Sequence, residues 1–148
     1  GPNLQVLTLH ESLFNHETIQ QILRSGALRL RKLHVLDSKA TETPQKVVDL
    51  ETVFEIVSSL RSTLEEITLS CQVSDSAVYI ARATTIFDQC ENLRVFDIRP
   101  RTLSHVEVSG MDCVFDSVLN RIEQGNTKIH TIFGYRIRTL LNFPSDVL

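Results

Sequence analysis

A six-residue pattern, apolar-x-x-apolar-x-apolar, recurs along this chain and limits its fold more than any other feature. It occurs as Leu4, Leu7, Leu9, as Leu30, Leu33, Val35, as Leu64, Ile67, Leu69, and as Leu93, Phe96, Ile98. Ile129, Ile132 and Gly134 form a degraded fifth copy. The copies start at residues 4, 30, 64, 93 and 129, so their spacings are 26, 34, 29 and 36. Each copy alternates apolar and polar residues in its second half, the signature of a strand with one buried face.

Between the copies, apolar residues lie three and four apart, as on one side of a helix. The first helix is expected over about Glu17 to Arg24, with Asn15 as N-cap, Gly26 just past its end, and Ile19, Ile22 and Leu23 inward. The second carries Leu50, Val53, Phe54, Val57 and Leu60, and starts at an Asp49 cap or earlier, at Thr43-Pro44. The third covers about Ser76 to Cys90, with Ile80, Ala83, Phe87 and Cys90 on one side. The fourth follows Asp112, turns Phe115, Val118, Leu119 and Ile122 inward, and ends at Gly125. Strand and helix thus alternate four times and close on a fifth strand, which implies an α/β fold with a parallel sheet. A doubly wound sheet and a solenoid with all helices on one side both satisfy that order. The shared strand motif and its single apolar face favour the solenoid, because parallel strands covered on both faces read apolar throughout. No glycine-rich phosphate loop accompanies any strand.

The segments Leu4 to Leu9, Leu30 to Val35, Leu64 to Leu69 and Leu93 to Ile98 resemble the L-x-x-L-x-L core of leucine-rich repeats. With a full helix per repeat, the chain is similar to the ribonuclease-inhibitor-like class, which includes the repeat regions of F-box proteins. The resemblance spans residues 3 to about 135 and implies a right-handed β-α superhelix, with the parallel sheet concave and the helices convex. It departs from the family at Ser12, Ser38, Gln72 and Arg101, which stand where Asn or Cys is usual. Two spacings also exceed the roughly 20–29 residues of a typical repeat. Loops are therefore expected near 37–49 and 99–111, with His105 to Val108 as a short added strand. The domain reading is one unit, residues 3–148, of about four and a half irregular repeats. Gly1-Pro2 resembles the remnant of a cleaved purification tag and is set aside. Asn3-Leu4 already lies inside the pattern, so the chain reads as a fragment of a larger protein, and further repeats of that parent are expected neighbours. Leu140, Leu141, Phe143, Val147 and Leu148 read as a terminal cap or the start of another repeat.

On this architecture the residues between the apolar positions point into the concave face. The expected columns are Val6, Lys32, Glu66, Val95, Thr131; then Thr8, His34, Thr68, Asp97, Phe133; then His10, Leu36, Ser70, Arg99, Tyr135. Apolar and aromatic members among mixed charges suit a surface that binds another protein. The candidate contact residues are Val6, His10, Lys32, His34, Leu36, Glu66, Val95, Asp97, Arg99, Phe133 and Tyr135.

Other chemistries find less support. Arg94, Arg99, Arg101, Arg136 and Arg138 beside Phe133 and Tyr135 suggest single-stranded nucleic acid. Yet residues 76–148 hold eight basic and eight acidic side chains, without the basic excess such binding needs. His10, His34 and Glu66 fall in separate columns, so no metal site is expected. Cys71, Cys90 and Cys113 form no C-x-x-C and are odd in number, which points to free thiols in a reducing compartment. No nucleophile signature surrounds them, and neither an enzyme nor a cofactor is expected. Thr43-Pro44 offers a proline-directed phosphorylation context at Thr43, with Ser38 and Thr41 nearby. No apolar run approaches the roughly 18 residues of a membrane span. The expected function is a protein-interaction module of an intracellular protein, cytoplasmic or nuclear. Its F-box resemblance implies substrate recognition for a ubiquitin ligase. The alternative is a structural adaptor or scaffold in a stable nuclear or cytoskeletal assembly.

Overall fold

Leu30, Leu64, Leu93 and Ile129 are buried apolar residues that each anchor the chain just before a strand. The computed structural model describes residues 5–10, 15–24, 29–36, 48–101 and 110–137. The elements are β1 (Val6–His10), α1 (His16–Arg24), β2 (Lys32–Leu36), α2 (Leu50–Ser59), β3 (Glu66–Gln72), α3 (Ser76–Gln89), β4 (Val95–Arg101), α4 (Gly110–Glu123), β5 (Thr131–Ile132) and β6 (Tyr135–Arg136). The strands form one sheet in sequence order. β1 to β5 are parallel, and β6 pairs antiparallel with β5. Gly26, the Ser38–Pro44 segment, His105 to Val108 and the apolar residues from Leu140 onward lie outside the described residues.

The helices start and stop where the local chemistry dictates. Asn15 Oδ1 accepts from the Thr18 amide at 2.9 Å and caps α1. Asp49 Oδ1 accepts from the Thr52 amide and hydroxyl and caps α2. These Thr52 bonds hold the Asp49 carboxyl below its ordinary range. Asp75 caps α3 through the Ala77 amide at 2.8 Å. At the end of α4, Gly125 adopts φ +70° and donates to Ile122 O, while the Asn126 amide reaches back to Arg121 O. That is a Schellman stop, in which glycine takes the left-handed position at little cost.

Leu33, Val35, Ile67, Leu69, Cys71, Phe96, Ile98 and Ile132 alternate along the strands and share one core with Ile19, Val53, Ile56, Val57, Ala83, Ile86, Val114 and Val118 of the helices. The intervening strand residues are half-buried or exposed among the described residues, so a doubly wound arrangement, which covers both faces, does not describe this sheet. Successive helices touch in order, α1 on α2, α2 on α3 and α3 on α4. Two of these steps use the same device. Arg82 of α3 makes a two-point bond to Glu51 and lies 4.5 Å over the Phe54 ring. Arg121 of α4 bonds Asp88 and lies 5.6 Å over Phe87.

The structure moves some inward positions. On α3 the buried residues are Tyr79, Ala83, Ile86 and Phe87, while Ile80 is only partly covered. The Tyr79 hydroxyl donates to Ile98 O at 2.6 Å, which lets a polar residue sit in the core. On α4 the helix starts at Gly110, two residues before Asp112, and Val114 and Val118 are its fully buried apolar members. Cys71 and Cys90 are buried free thiols, whereas Cys113 is exposed. No described helix is long and apolar enough to cross a membrane.

Two predictions follow from this packing. A Cβ built on Gly110 would stand 2.8 Å from Tyr79 Cδ1. The Tyr79 ring is buried and tethered at its hydroxyl, so it cannot yield. Gly110→Ala should lower the unfolding free energy by about 1–3 kcal/mol in urea titrations. Burial pushes the Cys71 thiol from 9.0 up to about 12, helped by the charge of Asp49, and the Cys90 thiol up to about 11. Folding thus favours the neutral thiols, and their contribution is whole below pH 9.0. It is lost as pH rises from there through the folded-state values, at about 1.4 kcal/mol per pH unit for each group. Unfolding free energy measured from neutral pH to pH 11 should show this decline, and Cys71→Ala should flatten it.

Candidate interaction surface

The open face of the sheet is organised by register. Val6, Lys32, Glu66, Val95 and Thr131 are successive ladder partners, as are Thr8, His34, Thr68 and Asp97. In the third column His10 pairs with Leu36, and Ser70 with Arg99. Side chains that are ladder partners stand on the same face, about 4.8 Å apart.

The charges on this face are coupled to one another. Lys32 Nζ lies 3.0 Å from Glu66 Oε2, and His34 Nε2 lies 3.4 Å from Glu66 Oε1. Arg99 Nε donates to Asp97 Oδ1 at 2.8 Å, and its Nη2 reaches Phe133 O at 3.5 Å. Along the leading rim, Arg31 bonds Glu65, and Arg94 stands 3.8 Å from the same carboxylate. The hydrogen bond from Arg31 holds Glu65 below its ordinary pKa, and the charge of Arg94 adds to it. Leu36 and Val6 are the half-exposed apolar members of the face.

Two expected contact residues sit elsewhere. The second column ends at Asp97, because Phe133 leaves the sheet. Phe133 (φ +50°) and Gly134 (φ +84°) form a two-residue turn that joins β5 to β6. Left-handed φ at both central residues is what a tight hairpin needs. The Phe133 ring is 7% exposed and packs edge-on to Phe96 at 5.9 Å, so it belongs to the core. Tyr135 is 66% exposed, but it pairs with buried Ile132, not with a column residue. The pleat therefore sends Tyr135 to the helix-bearing side at the sheet edge, and Arg136 joins the open face opposite Thr131. This also separates the two aromatics expected to stack on nucleic acid. The turn was signalled by Gly134 directly after a large apolar residue, between two short β-forming pairs.

A cleft opens in this face. The β2–β3 ladder runs only from Lys32↔Glu66 to His34↔Thr68, whereas β3–β4 continues to Gln72↔Arg101. Beyond Thr68 the two strands part, and Val48-Asp49 takes the place beside Gln72 through a 2.9 Å bond to its amide. The resulting cavity of about 240 Å³ is lined by Leu36, Thr68, Ser70, Asp97 and Arg99, with Val35 and Leu69 behind them. A larger one, of about 480 Å³, lies at the C-terminal ends of α3 and α4, where Asp88 and Arg121 pair with each other and Lys128 bonds Asn92. No described polar side chain is fully buried there to orient a ligand. Among the described residues no three His, Cys, Asp or Glu side chains gather to hold a metal ion, and His10, His34 and Glu66 form no such set. In comparisons with known proteins, no family model, curated protein or solved structure matches this chain.

The two relocated aromatics predict opposite outcomes. Phe133→Ala should cost about 3–5 kcal/mol of unfolding free energy, because it empties a core position. Tyr135→Ala should stay within about 0.5 kcal/mol of the parent. Chemical denaturation of both variants checks the pair.

Proposed function

We propose that this chain is a leucine-rich-repeat-type solenoid that binds another protein on the open face of its sheet. The observation that carries the reading is the face itself. It is a regular polar surface whose columns are in register, with Leu36 and Val6 half-exposed at positions where the fold demands no apolar side chain. Apolar residues ringed by polar ones are how interaction surfaces depart from ordinary protein surface. The sequence-ordered parallel ladder and the recurring strand motif support the repeat reading, and the cavity beside Leu36 offers a partner side chain somewhere to go. Three unbridged cysteines fit a reducing, intracellular setting. Substrate recognition for an F-box-type ubiquitin ligase is the narrower form of the proposal and rests on the sequence resemblance.

Affinity capture with this chain as bait, read by mass spectrometry, tests it. A partner bound by the parent should be lost, by about tenfold or more in affinity, from Leu36→Asp and from Val6→Asp, with unchanged thermal unfolding. Equal capture by all three proteins would refute binding through this face. Recovery of an F-box adaptor with a cullin in a capture by the full-length protein would favour the ligase form, and its absence from that capture would count against it.

A further inference from the structure

We infer that the open face takes an extended acidic segment of a partner, its carboxylates meeting the cations of the sheet and one aliphatic side chain entering the cleft beside Leu36. This rests on the reading of the face as a protein-binding surface and adds the chemistry of what binds there.

The chain as a whole is acidic, with a net charge of −3, so composition alone argues against an acidic partner. The depth of the charges reverses that. In every ion pair described on the sheet or its leading rim, the cation is the more exposed member. Arg99 is 53% exposed, against 14% for Asp97. Arg31 and Arg94 cover Glu65, and Lys32 stands further out than Glu66. On the helices the order is inverted: Asp88 is 63% exposed against 18% for Arg121, and Glu51 stands further out than Arg82. A partner approaching the sheet therefore meets guanidinium and ammonium groups, and one approaching the helices meets carboxylates. Arg136, turned onto the open face opposite Thr131, extends the cationic surface toward the β6 edge. Opposite potentials across an interface guide approach and select partners, and Arg is well suited to carboxylates because its planar fork can make two bonds at once.

The cleft sets the scale of the anchor. At about 240 Å³ it lies below the 300–1,000 Å³ usual for small-molecule sites, and it holds one or two side chains. Leu36 supplies its exposed apolar side chain, Val35 and Leu69 close it from behind, Thr68 and Ser70 supply hydroxyls, and Arg99 stands at its edge. An aliphatic residue flanked by carboxylates fits that arrangement.

Fluorescence anisotropy with short labelled peptides tests the inference. Three peptides of equal length alternate Leu with Glu, with Gln or with Lys, and each is titrated with this chain at low and at high sodium chloride. The Glu peptide should bind tightest and weaken as salt rises. Arg99→Gln combined with Arg136→Glu should lower its affinity about tenfold. Glu55→Lys, an exposed change on α2, should leave it unchanged. The inference is overturned if the Lys peptide binds best, if no peptide binds, or if an unlabelled single-stranded oligonucleotide displaces the Glu peptide at lower concentration than the peptide itself does. If the Gln peptide binds as tightly as the Glu peptide, and Leu36→Asp abolishes both, the acidic assignment falls while the protein-binding face stands.

Discussion

One backbone carbonyl just before each of the first four strands accepts from two successive amides of the next layer, and the rest of the structure is built on that shared acceptor. Gln5 O takes Arg31 N and Lys32 N, Arg31 O takes Glu65 N and Glu66 N, Glu65 O takes Arg94 N and Val95 N, and Arg94 O takes His130 N and Thr131 N. A slip of one residue in a sheet sends every side chain to the wrong face. Four repetitions of the same lock prevent that slip, however long the intervening connection. With the register held, Leu30, Leu64, Leu93 and Ile129 stack into the core, and Lys32, Glu66, Val95 and Thr131 line up on the open face. A second tier of side-chain bonds reinforces the same loops: the Thr63 hydroxyl donates to Leu30 O, Asn92 Nδ2 to Ser62 O, and Lys128 Nζ to Asn92 Oδ1.

What could be read from the sequence was whatever short-range chemistry decides. Leu30, Leu64, Leu93 and Ile129, the first apolar residues of their motifs, mark where strands start, and Asn15, Asp49 and Gly125 mark helix ends because their local geometry is satisfied within a few residues. The columns of the open face followed from the period of two. The fifth strand was harder. The alternation in the sequence runs on through Phe133 and Tyr135, but two left-handed residues fold the chain back, and the ring contact of Phe133 with Phe96 helps hold the turn. On α3, helical spacing accommodates an inward Ile80 and an inward Tyr79 almost equally. The Ile98 carbonyl within reach of the Tyr79 hydroxyl decides between them, and that is a tertiary fact. Which member of an ion pair lies outermost is likewise invisible in a list of charges.

The two sides of the molecule use the same residue types for different ends. On the helices, the guanidinium groups of Arg82 and Arg121 lie over phenylalanine rings and bond Glu51 and Asp88. They act as fasteners between layers. On the sheet, Arg31, Arg94 and Arg99 lie over carboxylates that they shield from solvent, and each is the more exposed member of its pair. Arginine suits both tasks because it combines a long apolar stem with a planar, multiply donating head.

Because helices and strands touch in chain order, the layers are coupled mainly to their immediate neighbours, and this bears on how the fold opens. Where each layer touches only its neighbours, stability approaches a sum of local and nearest-neighbour terms. The layer of β3, α3 and β4 is braced on both sides and has the longest ladder. The layer of β1 and α1 is braced on one side among the described residues, and Leu7 and Leu9 are only partly covered. Amide protons should therefore exchange faster at the outer strands, β1 and β6, than at the centre. Opening of the described layers would proceed from the outer strands inward, not as simultaneous loss of the whole core.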